Sequence, residues 1–527
     1  MFCFQCEQTT HGVACTSVGA CGKDPQTAAL QDLLIDAAKR LAVKLAPLAT
    51  EARPAQSARL IEDALFATVT NVSFDPTRIA DLIREVAALA GPACGLIPAA
   101  TLDGLIAQGE QVGIQGRQTS LGQDASSLQE LVTYGLKGMA AYAHHARRLG
   151  FSDPAVDAFT VEALAIIAGG ESDINKLIAL NLRCGEVTVA VLALLDKANT
   201  DSYGHPVPTP VQLGHVPGKA ILVSGHDLAD LKALLEQTEG TGINIYTHGE
   251  MLPAHGYPEL KKHKHLVGHF GGAWMLQRKE FPNFPGAILM TTNCIQRPVD
   301  NYAARLFTGG LVSWPGIAHA EGHDYGKLIA AAQAAPGFTD TVDGGVHLVG
   351  FGHNTVLGVA DTVISAVKSG ALKRFALIGG CDGSEGERSY YTDLAAALPQ
   401  DWAILTLGCG KFRVMGKDYG TIGGLPRLLD MGQCNDAYSA VKVALALAEA
   451  FECGVNDLPL SLVISWFEQK AVCVLLALLH LGVKNIRLGP ALPAFVSPNV
   501  LKVLVDTFNV MPIGTVEGDI AAMAKAA

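Results

Sequence analysis

The residues of this chain best suited to metal or redox chemistry are four cysteines at its N-terminus. Cys3, Cys6, Cys15 and Cys21 follow the spacing C-x2-C-x8-C-x5-C, whereas the other eight of the twelve cysteines are spread over the rest of the chain. Four thiolates this close together can satisfy a tetrahedral zinc ion or an iron–sulfur cluster. Zinc ribbons usually have two C-x2-C pairs around a longer loop. The spacing therefore favours an iron–sulfur cluster over structural zinc, and both over four free thiols.

Small residues separate these cysteines, namely Gly12, Ala14, Gly19, Ala20 and Gly22. They leave room for backbone N–H groups to reach the sulfur atoms of a cluster. A cluster so near the chain end is expected to lie near the surface, where it can receive electrons. A disulfide framework is not expected, because the cytosol keeps thiols reduced and a chain of this length folds without cross-links.

A second set of possible ligands occupies similar positions along the chain. Six residues directly follow short β-rich runs and the seventh precedes a helix-like run; the set is His226, Glu250, Cys294, Cys381, Cys409, Cys434 and Glu468. In open α/β sheets, ligands bind outside the carboxyl ends of the strands. Thiolates suit sulfide-bridged iron, whereas imidazole and carboxylates suit harder iron sites with open coordination positions. The mixture predicts a metal site that binds and reduces a small nitrogen- or oxygen-containing molecule.

Taken singly, each of these residues has a simpler interpretation. A lone histidine at a strand end is usually a hydrogen-bonded structural residue, a lone cysteine an inert small hydrophobe, and a lone glutamate a solvated surface group. Their shared position, with all four cysteines in Gly-rich turns, favours a joint function. The other four cysteines are interpreted as structural, since Cys184, Cys453 and Cys473 fall in helix-like runs and Cys94 in an Ala/Gly/Pro turn.

The elements that must position these residues fall into two parts. From residue 24 to about 200, an Asp24–Pro25 start and leucines at helical spacing predict helix bundles. The Pro- and Gly-rich segment 199–218 predicts a linker. Beyond it, β-rich runs, including "VHLVGFG" at 346–352, alternate with helix-like runs, which predicts open, largely parallel sheets covered by helices.

The length of the second part suits two such sheets, divided in the helix-like segment 354–370. The predicted fold is multidomain α and α/β, with N-terminal helical bundles followed by two Rossmann-like parallel-sheet domains. The predicted domains are residues 1–205, 206–356 and 357–527. No G-x-G-x-x-G follows any predicted strand, so reducing power is expected from a separate electron-donor protein rather than a bound nicotinamide or flavin.

Composition limits the partners of the chain. A formal net charge of -11 and the lack of a dense Lys/Arg block argue against nucleic acid or an anionic membrane surface. The start "MFCFQCEQTT" has neither the basic residues nor the apolar run of a secretory signal, which predicts a cytoplasmic protein. The apolar run at 471–483 is too short to cross a bilayer, so no membrane span is expected.

Eight motifs, in this order, resemble the hybrid-cluster proteins, also known as prismane proteins or hydroxylamine reductases. They are the four-cysteine motif, "SGHDL", "THGEMLP", "TTNCIQ", "GGCDG", "LGCGKFR", "GQCNDAYSA" and "WFEQKA". The resemblance covers essentially the full chain. It implies a helical domain of two three-helix bundles followed by two Rossmann-like domains, related to the nickel carbon monoxide dehydrogenases.

The resemblance also implies two clusters. A 4Fe-4S cluster is expected on Cys3, Cys6, Cys15 and Cys21. A hybrid 4Fe-2S-2O cluster is expected at the domain interface, with Cys381 as a persulfide and with ligands His226, Glu250, Cys294, Cys381, Cys409, Cys434 and Glu468.

The activity that the resemblance implies is reduction of hydroxylamine to ammonia and water by two electrons and two protons. Electrons are expected to pass from a donor protein through the N-terminal cluster to the hybrid cluster. Glu468 is expected to open a binding position on iron, and Lys470 or His226 to help deliver protons.

Other activities remain open at this point. Nitric oxide reduction to nitrous oxide and protein S-nitrosylation under nitrosative stress are alternatives within redox chemistry. A non-catalytic redox sensor or electron carrier leaves the mixed ligand set unexplained. Carbon monoxide dehydrogenase activity is possible by kinship, although the hybrid cluster contains only iron.

Overall fold

Helices make up the first part of the chain. The computed structural model describes residues 1–525. Asp24 caps the first helix, its carboxylate accepting the N–H of Thr27, and Pro25 occupies the first helical position. The helices are α1 Pro25–Leu45, α2 Ser57–Ala67, α3 Pro76–Ala90, α4 Leu102–Gln111, α5 Ile114–Leu121, α6 Gln123–Arg148, α7 Pro154–Ala168 and α8 Ile174–Tyr203. The predicted N-terminal helical region is confirmed.

A six-stranded sheet follows, with every neighbouring pair of strands parallel. Its spatial order is β4-β3-β2-β5-β6-β7, and its strands are β2 Lys219–Ser224, β3 Ile243–Thr247, β4 Leu266–His269, β5 Ala287–Met290, β6 Leu306–Gly309 and β7 Ala318–Ala320. The accompanying helices are α9 Leu228–Thr238, α10 Pro258–Lys261, α11 Gln277–Glu280, α12 Asp300–Ala303 and α13 Gly326–Ala334.

A second parallel sheet of six strands completes the chain. Its order is β13-β10-β9-β14-β15-β16, and its strands are β9 Arg374–Gly380, β10 Trp402–Thr406, β13 Leu428–Asp430, β14 Leu460–Ser465, β15 Ile486–Gly489 and β16 Met511–Pro512. The accompanying helices are α14 His353–Leu357, α15 Ala360–Lys368, α16 Ser389–Ala397, α17 Ala437–Ala450, α18 Gln469–His480, α19 Pro498–Phe508 and α20 Val516–Lys525. The predicted fold class is therefore confirmed.

Two short antiparallel pairs lie outside the large sheets. Strand β11 Thr421–Ile422 pairs with β12 Leu425–Pro426. Strand β1 Thr209–Gln212 pairs with β8 Val346–Val349. The expectation that "VHLVGFG" belongs to the parallel alternation is therefore wrong, because its partner is a strand formed within segment 199–218. That segment is also more than a linker, since it contains the end of α8 as well as β1.

One cysteine, Cys453, lies in a different element from the one predicted. Helix α17 ends at Ala450, so Cys453 lies in the turn after it rather than within a helix.

We keep divisions after residues 205 and 356 as proposed domain limits. Residues 526 and 527 of the third segment lie outside the described part of the chain.

In the described part of the chain, one helix is long and apolar enough to span a bilayer by length and composition alone, and it is α8. Helix α8 packs against α6 and α18. Leu177, Cys184 and Leu192 on it are fully buried. We interpret α8 as a core helix that joins the helical region to the second sheet.

Candidate metal centres

The N-terminal cysteines form one group of thiols. Cys3 and Cys15 exchange two backbone hydrogen bonds of 3.1 and 2.8 Å, which bring the two halves of the motif side by side. Burial raises the pKa of Cys6 well above its usual value, and the neighbouring thiolates of Cys21, Cys3 and Cys15 raise it further. The four sulfur atoms therefore lie within electrostatic reach of one another.

The same motif contains donors for sulfur. Burial alone would raise the pKa of Cys15, but hydrogen bonds from the Thr10 hydroxyl and from the N–H groups of Thr10 and Ala20 lower it below its usual value. The Thr10 Oγ1 to Cys15 Sγ distance is 3.2 Å. Burial also raises the pKa of Cys21. Thiolates at Cys6 and Cys21 thus need a nearby cation, which fits a metal group at this motif.

The N-terminal motif lies directly against the segment that carries Glu468. The N–H of Glu7 donates to the carbonyl oxygen of Phe467 at 3.0 Å. The side-chain amide of Gln469 donates to the carbonyl oxygen of Gln5 at 2.5 Å. Each residue next to Cys6 along the chain is therefore hydrogen-bonded to a residue next to Glu468.

A buried arginine holds this contact together. Arg388 is fully buried, and its guanidinium donates to Glu7 Oε2 at 2.6 Å, Glu385 Oε2 at 2.6 Å and Ser465 Oγ at 2.5 Å. It also donates to the carbonyl oxygen of Trp466 at 3.2 Å. One side chain thus joins the N-terminal motif to the end of β14.

We expect Arg388→Met to lower the free energy of unfolding by about 3–5 kcal/mol, because it leaves the buried carboxylate of Glu7 and the partly buried carboxylate of Glu385 without their cation. Chemical denaturation measures the change. The exposed pair between Arg183 and Glu162 supplies the control, since Arg183→Met should cost at most about 1 kcal/mol. Equal effects of the two substitutions would contradict a clamping role for Arg388.

The second set of predicted ligands lies at the carboxyl ends of strands, as the sequence indicates. His226, Glu250 and Cys294 follow β2, β3 and β5 of the first sheet, and Cys381, Cys409 and Glu468 follow β9, β10 and β14 of the second. Cys434 begins the short 3-10 helix Cys434–Asp436 that precedes α17.

Three of these residues converge most closely. The ligand atoms of His226, Glu250 and Cys434 all lie within 4.8 Å of one another. His226 Nε2 is 3.9 Å from Glu250 Oε2, and that oxygen accepts the N–H of Cys434 at 2.7 Å. The other carboxylate oxygen of Glu250, Oε1, is buried and has no hydrogen-bond partner among residues 1–525. A buried oxygen without a partner fits a missing metal ligand bond.

The other predicted ligands adjoin these three. Cys294, Cys409 and Cys381 belong to one hydrophobic cluster with Trp274 and Phe467. Burial raises the pKa of Cys294 well above its usual value, and Glu468, Cys381 and Glu250 raise it further, while the Lys470 ammonium opposes them. The seven predicted ligands therefore surround one buried region.

Electrostatics at this region favour the uncharged forms of the ligands. Burial raises the pKa of Cys381 to about 12 and the pKa of both Glu250 and Glu468, and it lowers the pKa of His226 well below its usual value. A multivalent cationic group would reverse this balance for thiols and carboxylates and would bind neutral imidazole. The donor set fits such a group.

Lys470 is the ammonium closest to these ligands. Its Nζ lies 3.3 Å from Cys434 Sγ, 3.3 Å from Asn293 Oδ1 and 3.8 Å from Glu468 Oε1. Glu468 caps α18, its Oε2 accepting the N–H of Lys470 at 2.8 Å. The proposed ligand and the ammonium are therefore held in place by the same helix start.

Sequence reasoning missed a supporting residue. Cys294 has a φ of 74°, in the left-handed region that side chains other than glycine rarely adopt. Gln277 stabilises this turn by donating its side-chain amide to the carbonyl oxygen of Cys294 at 2.6 Å. Gln277 lies seventeen residues before Cys294 and in no quoted motif, so no local signal pointed to it.

An apolar cavity of about 140 Å³ opens beside the site. Cys381, Cys434, Glu468 and Lys470 line it together with apolar side chains of α17 and α18. The apolar lining includes Val441, Ala444, Val474, Leu475 and Leu478. The cavity is large enough for a small molecule and contacts both cysteine and carboxylate ligands.

The fold agrees with known proteins to which the chain is similar. The model of the Prismane/CO dehydrogenase family matches residues 1–521. The chain belongs to the Prismane/CO dehydrogenase family. A hydroxylamine reductase of Rhodospirillum rubrum is 61% identical over 100% of both chains. A hydroxylamine reductase of Zymomonas mobilis is 58% identical over 98% of this chain and 97% of its own.

Solved structures of the Prismane/CO dehydrogenase family share the fold. A nickel-free carbon monoxide dehydrogenase from Thermococcus sp. AM4 matches 97% of this chain and 87% of its own, with a TM-score of 0.58 and 17% identity. Carbon monoxide dehydrogenase IV from Carboxydothermus hydrogenoformans matches 99% of this chain and 92% of its own, with a TM-score of 0.56 and 16% identity. Membership of the Prismane/CO dehydrogenase family implies iron–sulfur clusters and makes the chain an iron–sulfur oxidoreductase.

Proposed function

We propose that this enzyme reduces hydroxylamine to ammonia and water at a hybrid 4Fe-2S-2O cluster, fed by a 4Fe-4S cluster on the N-terminal cysteines. The six strand-end residues and Cys434, together called the strand-end site, would hold the hybrid cluster. The observation that carries the proposal is the buried convergence of His226, Glu250 and Cys434, with the Lys470 ammonium touching Cys434. The names of the relatives from Rhodospirillum rubrum and Zymomonas mobilis support this substrate.

The reaction consumes two electrons and two protons as the N–O bond breaks: NH2OH + 2 e⁻ + 2 H⁺ → NH3 + H2O. Bound iron–sulfur clusters supply the electrons and a Lewis-acidic iron for an N/O substrate. Glu7 follows Cys6 in the chain, Phe467 precedes Glu468, and the N–H of Glu7 donates to the carbonyl oxygen of Phe467. This hydrogen bond offers a short path for electrons from the N-terminal cluster to the hybrid cluster. Electrons are expected to enter from a separate donor protein.

Lys470 is the proton donor that the geometry favours. Lys470 lines the apolar cavity, and its ammonium is oriented by Asn293 Oδ1 and Cys434 Sγ. Burial holds His226 as neutral imidazole, which suits a ligand better than a proton donor. We therefore assign proton delivery to Lys470 and metal ligation to His226.

Glu468 has an alternative partner for its carboxylate. Its Oε2 accepts a hydrogen bond from the first turn of α18, and its Oε1 lies 3.8 Å from Lys470 Nζ. Burial raises the pKa of Glu468, and the helix N-terminus and the Lys470 ammonium oppose that effect, so the side chain keeps polar partners when it leaves a metal ion. This supports Glu468 as the exchangeable ligand.

The test is chemical analysis and assay of anaerobically purified enzyme. We expect iron and acid-labile sulfide without nickel or zinc, two distinct electron paramagnetic resonance signals, and ammonia formation from hydroxylamine with a reduced viologen dye as donor. Zinc without iron, or iron without ammonia formation, would overturn the proposal. Nickel with carbon monoxide oxidation would instead indicate a carbon monoxide dehydrogenase.

Air should damage the enzyme. Sulfide-bridged iron and accessible thiolates oxidise readily, and Cys3, Cys21 and Cys381 are each only partly buried. Prolonged aerobic incubation is expected to change the visible spectrum and to remove most of the activity. Unchanged activity and spectrum after air exposure would indicate a zinc protein.

The two centres should be separable by mutation. Cys15→Ser removes one thiolate from the N-terminal motif and none from the strand-end site, so it should abolish the N-terminal cluster signal and slow turnover at least about tenfold. The signal of the second site should remain. Cys94→Ser, at a partly buried cysteine outside both sites, is the matched control. Loss of both signals from a folded Cys15→Ser protein would contradict two independent centres.

Nitric oxide is a second candidate substrate, and the lining of the cavity favours it. Apolar side chains of α17 and α18 line the same cavity as Cys381 and Glu468. Such a lining favours a small uncharged gas over strongly hydrated molecules. Parallel assays with both substrates decide between them: the preferred one has the higher kcat/KM, and nitrous oxide is the product that identifies nitric oxide reduction. Protein S-nitrosylation and a purely electron-carrying role lack a comparable observation.

We also propose that the enzyme works in the cytoplasm and that neither nucleic acid nor a membrane is its partner. The net charge of -11 and the packing of the long apolar helix α8 against α6 and α18 support this.

A further inference from the structure

Two buried lysines, Lys23 and Lys137, lie beside the N-terminal cysteines. Lys23 Nζ donates to Gln31 Oε1 at 2.9 Å. Lys137 Nζ donates to Gln5 Oε1 at 2.9 Å and to the carbonyl oxygen of Thr68 at 3.3 Å. All these acceptors are neutral, and within residues 1–525 neither lysine forms a salt bridge. Both side chains are buried.

The two ammonium groups interact with each other and with the cysteines. Burial and the Lys23 ammonium lower the pKa of Lys137 to about 7, while the Cys3 thiolate acts in the opposite direction. Lys23 lies two residues after Cys21 and lines one small cavity together with Cys3 and Lys137. The Cys3 thiolate is the largest anionic influence on Lys137, ahead of the carboxylates of Asp32 and Glu130.

The surrounding charges do not neutralise the pair. Arg117 and Glu130 form an ion pair of 2.6 Å and cancel each other. Asp32 is the other carboxylate near the two lysines, and burial raises its pKa to about 6. A cavity of about 20 Å³ lies between these groups and Cys3, with room for about one water molecule. Asp32 offsets at most one of the two ammonium charges, so this buried region is net positive when both lysines are protonated.

Burying two like charges next to each other is costly unless an anion lies beside them. An iron–sulfur group on four thiolates is such an anion, and each electron it accepts makes it more negative. Positive charge fixed in a low-dielectric interior stabilises the reduced form more than the oxidised form. Helix α6 holds Lys137 firmly, since Gly138 lies so close to the Gln469 backbone that an added Cβ would approach the carbonyl oxygen to 2.3 Å.

We propose that Lys137, with Lys23, is the buried counter-charge of the cluster on Cys3, Cys6, Cys15 and Cys21 and raises its reduction potential, so that the cluster accepts electrons from a donor. Lys137 lies on α6 of the helical region and, in this proposal, acts by tuning the reduction potential of the cluster at which electrons enter. The inference rests on the proposed function only in assuming an iron–sulfur group at these cysteines.

The test is a redox titration of the anaerobic full-length enzyme, followed by electron paramagnetic resonance. Lys137→Met should lower the potential of the N-terminal cluster by about 59 mV or more, a tenfold change in a one-electron equilibrium. Lys137→Arg, which keeps the charge, should stay near the parent value. Because the charge is buried, the shift should persist at high salt.

A neighbouring lysine supplies the matched control. Lys39 is also buried, but the charges that act on it are Arg117, Glu130, Asp36 and Asp32, with no cysteine among them. Lys39→Met should therefore shift the potential by much less than Lys137→Met. If Lys137→Met does not fold, Lys137→Gln replaces it, because an amide can retain hydrogen bonding to Gln5 and Thr68.

The possible outcomes separate the two proposals. A parent enzyme without an iron–sulfur signal overturns the proposed function. A parent signal whose potential is the same in Lys137→Met and Lys137→Gln overturns the counter-charge alone, even if stability falls. Equal shifts in Lys39→Met and Lys137→Met would also overturn it, since the effect would then belong to the whole charged network.

Discussion

Glu468→Gln is expected to lower the rate of hydroxylamine reduction about a hundredfold or more while leaving the protein folded. Loss of a residue that merely supports a metal ligand costs 10–100-fold, so weakening a direct ligand should cost at least as much. The amide keeps the size of the side chain and can still cap α18 through its oxygen. Circular dichroism, the two cluster signals and the rate of ammonia formation measure the three parts of this prediction.

A matched control lies on α17. Glu449 is an exposed glutamate, and Glu449→Gln should leave rate and spectra unchanged. The N-terminal cluster signal should be unaffected in both variants, whereas the signal of the strand-end site should change only in Glu468→Gln. A Glu468→Gln enzyme with the parent rate and the parent spectrum would show that Glu468 is not a ligand, and the exchangeable-ligand proposal would be wrong.

Lys470→Met is expected to have a comparably large effect, by a different route. It removes the ammonium 3.3 Å from Cys434 Sγ without removing any proposed ligand. Positioned proton donors contribute 10²–10⁴-fold, so we expect the rate to fall at least about a hundredfold. Iron content should stay close to that of the parent enzyme.

Lys470→Arg separates charge from proton donation. Arginine keeps the positive charge next to Cys434 and Glu468 but does not release its proton in proteins. We expect the arginine variant to keep the parent spectrum of the strand-end site and to remain slow, whereas the methionine variant should also show an altered spectrum. Parent activity in either variant would rule out Lys470 as the proton donor.

The sequence by itself determined the local structure and the identity of the candidate ligands. A short β-rich apolar run ends where a turn begins, so the pattern alone places His226, Glu250, Cys381 and Glu468 at strand ends. The carboxyl ends of parallel strands are a common ligand position, which makes a joint site a reasonable expectation. Whether these residues hold a cluster remains a prediction.

Local sequence patterns did not predict the strand partner of β8 or the end of helix α17. Strand β8 has the same apolar character as its neighbours in sequence, but it pairs with β1, which forms in a segment whose prolines predicted a linker. Cys453 follows an apolar helical run that stops three residues earlier, and helix ends are set by the last hydrogen-bonded turn rather than by hydrophobicity.

Only the tertiary structure decided how the two sites meet. The contact of Glu7 with Phe467, the hydrogen bond of Arg388 to Glu7 and the approach of Lys137 to Gln5 join residues that are more than a hundred positions apart. Such contacts arise when the helical region packs against the second sheet, and the stability of each polar group depends on what that packing buries beside it. A lysine in an amphipathic helix looks the same in sequence whether it faces water or a cluster of thiolates.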